Sequence, residues 1–143
     1  MSEQSPSALK HLFVLPCSGP CNVGQLANQA AVELTREGLG TMFNLPGLAA
    51  HRPIFVQAAQ ELARTMVVVD GCSVGCARSV VEHLHIPVGT YVVVTDLGIE
   101  KSDDLNLLKE DLTKVKNALK EFAPRVEAGL SPEKPKCLCA EEW

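Results

Sequence analysis

The strongest constraint on how this chain can fold is a pattern that occurs twice: an apolar run, a short loop with two cysteines, and a helix-forming stretch. The first copy is Phe13-Val14-Leu15-Pro16-Cys17-Ser18-Gly19-Pro20-Cys21, the second Val67-Val68-Val69-Asp70-Gly71-Cys72-Ser73-Val74-Gly75-Cys76. Both cysteine pairs are C-x3-C, and each member of the second lies 55 positions after its counterpart (17 to 72, 21 to 76). Apolar runs without alternation suit strands buried on both faces, the usual condition in a parallel sheet. Repeating strand, loop and helix directs the chain to an α/β fold, whose ligands bind beyond the carboxyl ends of the strands. Both thiol loops fall at such ends, so four sulfurs can converge if the two strands are neighbours.

Strands are predicted over 12–15, 66–69 and 91–95, with a shorter one over 41–45 followed by a turn at Pro46-Gly47. Asn22 as N-cap, with Gln25 three residues on, opens a helix whose inner face is Val23, Leu26, Ala27, Ala30, Ala31 and Leu34, and which Gly38 and Gly40 end near Glu37. Pro53 suits the first turn of a helix facing inward through Phe55, Ala58, Ala59, Leu62 and Ala63. Another begins at Cys76, with Ala77, Val80, Val81 and Leu84 inward, and Pro87 stops it. Ser102 or Asp103 is expected to cap a long helix carrying Leu105, Leu108, Leu112, Val115, Leu119 and Phe122 at three- and four-residue steps. The sum is an open, mostly parallel, Rossmann-like sheet of about four strands with helices on both faces. One domain over 11–124 is expected, with a flexible lead over 1–10 and a Pro-rich tail over 125–143 that carries Cys137-Leu138-Cys139.

A net charge of -4 supplies no basic footprint, which argues against nucleic acid or an acidic membrane as partner. No apolar run approaches the ~20 residues of a membrane span, and the polar first residues do not read as a signal peptide. A cytoplasmic location follows as the expectation. Thiols stay reduced there, so the six cysteines read as metal ligands, nucleophiles or redox groups before they read as disulfides.

Two C-x3-C pairs supply a complete tetrahedral set of soft ligands within the spacing common in zinc sites, which makes Cys17, Cys21, Cys72 and Cys76 the candidate Zn2+ ligands. Each loop opens a helix, whose N-terminal amides favour thiolate, and Arg78 lies close in sequence to offset the negative charge. Asp70 is expected to order the turn before Cys72 rather than bind metal. With Cys72 and Cys76 after it and Cys17 and Cys21 before it, Asp70-Gly71-Cys72 resembles the DGC-domain family, a group proposed to bind zinc and named for that tripeptide. The resemblance covers roughly residues 12–96 and implies the same four chelators. It implies no reaction.

An enzyme reading competes. Cys72 to Ser79 is also C-x5-R-S, similar to the phosphate loop of cysteine-dependent phosphatases and some arsenate reductases. There Cys72 would attack, Arg78 would hold an oxyanion, Ser79 would steady the leaving thiolate and Asp96 would be the general acid. That scheme leaves Cys17 and Cys21 without a role. Thiol redox chemistry or metal transfer is a third reading, in which Cys137 and Cys139 reach the site or a protein partner. Of the four histidines, His83 and His85 close a helix and His11 and His51 flank predicted elements, and each reads as structural or solvated.

Overall fold

The computed structural model describes residues 12–122. The expected lead over 1–10, the tail over 125–143 with Cys137 and Cys139, and His11 lie outside those residues. Four strands, β1 (Phe13–Pro16), β2 (Thr41–Met42), β3 (Met66–Asp70) and β4 (Thr90–Val93), form one sheet in the order β2-β1-β3-β4, with every pair parallel. Among the described residues five α-helices flank it: α1 (Asn22–Arg36), α2 (Leu45–Ala49), α3 (Pro53–Leu62), α4 (Cys76–His83) and α5 (Lys109–Lys120). This is the open α/β architecture expected.

Alternation along each strand sends successive side chains to opposite faces, and both faces are covered. Val14, Val67, Val69 and Val92 pack under α1 and α5 against Leu26, Ala30, Leu34, Val115 and Leu119. Leu15, Met66 and Val68 pack on the other side against Leu48 of α2, Phe55 and Ala59 of α3, and Ala77 and Val81 of α4. Each fully buried aliphatic side chain contributes roughly 1.5–3 kcal/mol, so a strand of five buried residues such as β3 is strongly held in its central position.

The structure departs from the expectations at four places. The strand expected over 41–45 is only Thr41–Met42, because Asn44 caps α2 through a bond from the Gly47 amide to its Oδ1 at 3.0 Å. Pro46-Gly47 is therefore the first turn of a helix, a position that tolerates proline. The strand expected over 91–95 is Thr90–Val93, and Val94–Leu97 turns as a short 3-10 helix. Cys21, not Asn22, occupies the cap of α1.

The largest departure is α5, which begins at Lys109 rather than near Ser102. Short polar side chains hold the preceding stretch in local turns: the Asp104 amide donates to Ser102 Oγ at 3.3 Å and the Asn106 amide to Asp104 Oδ1 at 2.9 Å. Such bonds compete with the helical ladder. Leu105 and Leu108 consequently face outward, at 57% and 60% exposure, and Phe122 lies beyond the helix end. Leu107, outside the expected stripe, packs against the core instead.

Candidate functional site

Because β1 and β3 are neighbours with Pro16 opposite Val69, the two thiol loops leave the sheet side by side. The ladder continues one step into the loops, with the Cys17 amide on the Val69 carbonyl at 2.7 Å. All four cysteines of the two pairs are free thiols at this edge, Cys17 buried, Cys21 and Cys72 half-buried and Cys76 exposed.

Three glycines weld the loops to α1. A Cβ on Gly71 would stand 2.5 Å from the Gly24 nitrogen, and one on Gly24 would stand 2.7 Å from the Gly19 carbonyl oxygen. The second thiol loop thus rests on the first turn of α1, which rests on the first thiol loop. The middle residue of the Asp70-Gly71-Cys72 tripeptide must be glycine for this stack to close. Gln25 adds a bond from Nε2 to the Gly19 carbonyl at 3.0 Å, so it steadies the thiol loop instead of forming a capping box.

Asp70 is the one buried charged residue among those described, at 1% exposure. Its Oδ1 accepts the Ala77 amide at 2.8 Å, and its Oδ2 accepts the Arg78 amide at 3.0 Å and the Tyr91 hydroxyl at 2.8 Å. A carboxylate reaching from β3 therefore caps α4, because the residue at the cap itself is Gly75 in the left-handed region (φ 70°) and has no side chain to offer. This cap sets where α4 begins and hence where Cys76 stands.

Charge in the site is divided. Burial pushes the Cys17 thiol up, and negative Asp70 and Cys76 push in the same direction, while amides of Gly19 and Gly71 partly oppose them. The Gly19 amide donates to Cys17 Sγ at 3.3 Å. Lys101 Nζ donates to Cys72 Sγ at 3.4 Å. Its own pKa is raised first by that bond, and the charges of Cys72, Cys21 and Cys76 add to the effect. Burial and the bond to Asp70 push the Tyr91 hydroxyl well above its usual range.

The residues proposed for phosphate chemistry are engaged otherwise. Arg78 Nε donates to Glu82 Oε1 at 2.7 Å, and its guanidinium carbon lies 5.2 Å from the Tyr91 ring centre. Ser79 Oγ donates to the Gly75 carbonyl at 2.8 Å. Asp96 is exposed on the turn after β4, where its charge acts on Tyr91. The His51 and His83 rings lie 5.2 Å apart between centres and tilted by 52°, with His83 at the end of α4 opposite Cys76.

Among the described residues no group of three or more His, Cys, Asp or Glu side chains stands as a ready-made metal cage. The donor chemistry of the four thiols is that of a soft-metal site. Two contributors were invisible in the sequence. Lys101 sits in no motif, and Tyr91 reads simply as a strand aromatic. Asn22 carried a signal, as the polar residue beside Cys21, but its partners lie about eighty positions away.

The sequence profile of the DGC domain matches residues 13–119. The chain is 31% identical over 101 residues to the anaerobic and virulence modulator AnvM of Pseudomonas aeruginosa, a match covering 71% of this chain and 76% of the relative. No solved structure matches. The profile spans the sheet, both thiol loops and the buried Asp70 cap, and the chain belongs to the DGC-domain family.

Proposed function

We propose that the chain is a zinc-binding protein in which Cys17, Cys21, Cys72 and Cys76 supply four thiolates from two loops. The observation that carries this reading is the adjacency of β1 and β3, which brings together pairs 55 positions apart at the ligand-binding edge of the sheet. Two helix N-termini open there, and the glycine stack holds both loops at one spacing. Zinc would join two distant strand-loop-helix units, so its binding energy adds to folding stability. The relative's name describes a modulator, and by that likeness the centre serves a modulating role. No described helix is long and apolar enough to cross a membrane, and reduced thiols suit a cytoplasmic setting.

Protein purified under reducing conditions should carry one equivalent of zinc, and chelation should lower its Tm. Well under one equivalent, or a Cys72→Ser variant that still holds a full equivalent, overturns the reading. A phosphatase would instead hydrolyse phosphate esters in the presence of chelator and lose that activity in Cys72→Ser or Arg78→Ala. The engagement of Arg78 with Glu82 and Tyr91, and of Ser79 with Gly75, favours the metal reading over this one. The transfer reading through Cys137 and Cys139 is tested by whether Cys137→Ser/Cys139→Ser slows delivery of bound zinc to an acceptor chelator.

A further inference from the structure

A cation stands at the thiol cluster, and the fold takes trouble to keep it there. Lys101 lies between two residues clamped by one side chain: Asn22 Nδ2 donates to the Glu100 carbonyl at 2.8 Å, and the Ser102 amide donates to Asn22 Oδ1 at 2.6 Å. The Asn22 amide completes the clamp on the Ser102 carbonyl at 3.0 Å. Asn22 follows Cys21 directly, so one residue fixes both the first thiol loop and the strap that bears the lysine. The strap leaves the turn after β4 through Gly98, in the left-handed region at φ 85°, and remains non-helical until α5 begins at Lys109. This also accounts for the helix that starts late: continuing it back to Ser102 would break the clamp.

We infer that Lys101 is the outer-sphere counter-cation of the thiol centre, held over Cys72 by Asn22 so that its ammonium donates to a ligand sulfur. The inference rests on the zinc reading for the identity of the ion and on the geometry above for the role of the lysine. Four thiolates around a divalent ion retain two negative charges. One fixed ammonium offsets part of that charge and lessens the mutual repulsion of the sulfurs. Because the group is a point charge on a flexible stem, charge rather than hydrogen-bond shape is what it supplies. An arginine should therefore substitute for it, and a methionine of similar length should not.

The test uses the full chain and two readouts. In chelator and reductant at one fixed pH, Cys72 is alkylated with anionic iodoacetate and with neutral iodoacetamide, and the ratio of rates is followed by peptide mass spectrometry. Lys101→Met should lower that ratio severalfold at low salt, and Lys101→Arg should keep it, because a local positive charge favours the anionic reagent. Zinc affinity is then measured by competition with a chromophoric chelator. Outer-sphere partners typically contribute 10- to 100-fold in metal affinity, so with its solvent exposure Lys101→Met should lose roughly three- to tenfold and Lys101→Arg little. Asn22→Ala, which frees the strap but keeps the lysine, should move both readouts in the same direction as Lys101→Met.

An alkylation ratio unchanged in Lys101→Met overturns the assignment whatever the metal does. A ratio that falls while zinc affinity matches wild type overturns the outer-sphere role. Wild-type protein that takes up no zinc, yet loses the ratio in Lys101→Met, sinks the zinc reading and leaves Lys101 as counter-cation of the reduced thiols.

Discussion

Replacing Asp70 with Asn changes one oxygen to an amino group in a site that needs two acceptors. The carboxylate receives the Ala77 amide on Oδ1 and the Arg78 amide and Tyr91 hydroxyl on Oδ2. With its NH2 in the Oδ1 position the variant faces the Ala77 amide donor to donor. With NH2 in the Oδ2 position the Tyr91 hydroxyl can turn to accept, but the Arg78 amide is left without a partner. Either orientation loses a hydrogen bond to a charged acceptor, worth roughly 1.5–3 kcal/mol, and strands an amide at a cost of about 1–3 kcal/mol. Relief of the buried charge returns part of this, so a net loss of about 3 kcal/mol is expected. Tyr91→Phe removes a single, partly buried bond to the same carboxylate and should cost about 1.5 kcal/mol, the low end of that range. Urea unfolding of metal-free, reduced protein keeps ligand binding out of the comparison. At an m-value of about 2 kcal/mol/M the Asp70→Asn midpoint should fall by roughly 1.5 M, against about 0.75 M for Tyr91→Phe. A loss under about 0.5 kcal/mol for Asp70→Asn, or equal losses for the two variants, would refute the claim that this carboxylate holds the start of α4.

Gly71→Ala drives a methyl into the backbone of Val23 and Gly24 and should cost about 1–3 kcal/mol and reduce zinc uptake, whereas Gly89→Ala, with nothing within 4 Å, should be close to neutral in the same unfolding assay. Leu105→Glu and Leu108→Glu should each change stability by less than about 0.5 kcal/mol, because both side chains face solvent, while Leu119→Ala should lose about 2–5 kcal/mol. Lys116 holds the Glu37 carboxyl below its ordinary value, and Glu37 in turn helps to raise the Lys116 ammonium. Glu37 thus contributes stability that is present above its unfolded pKa of 4.5 and is lost as pH falls through the lower folded value. The lysine's share is present below 10.5 and is lost as pH rises through its folded value. Stability profiles of Lys116→Met against wild type should therefore differ by less than about 1 kcal/mol near neutrality and converge at both extremes.

Periodicity in the chain determined the class of fold and the four candidate ligands. Unbroken apolar runs at Val14 and Val67 require strands covered on both faces, and the residues after them must then lie at the ligand-binding edge. Helical spacing likewise identified the inward faces of α1, α3 and α4, because an apolar stripe needs only local geometry to be recognised. Tertiary structure decided that β1 lies beside β3, a pairing of strands not consecutive in the chain, and that adjacency sets the two thiol loops side by side. It decided too that Leu105 and Leu108 face water, although their spacing continues the stripe of α5, because turn bonds at Ser102 and Asp104 and the Asn22 clamp outweigh local helical preference. The place of Lys101 has the same origin. A thiol matched by a lysine on a strap 29 positions away depends on a hydrogen bond that no local spacing encodes, whereas the Asp70 cap reaches only to Ala77 and Arg78, seven and eight positions on.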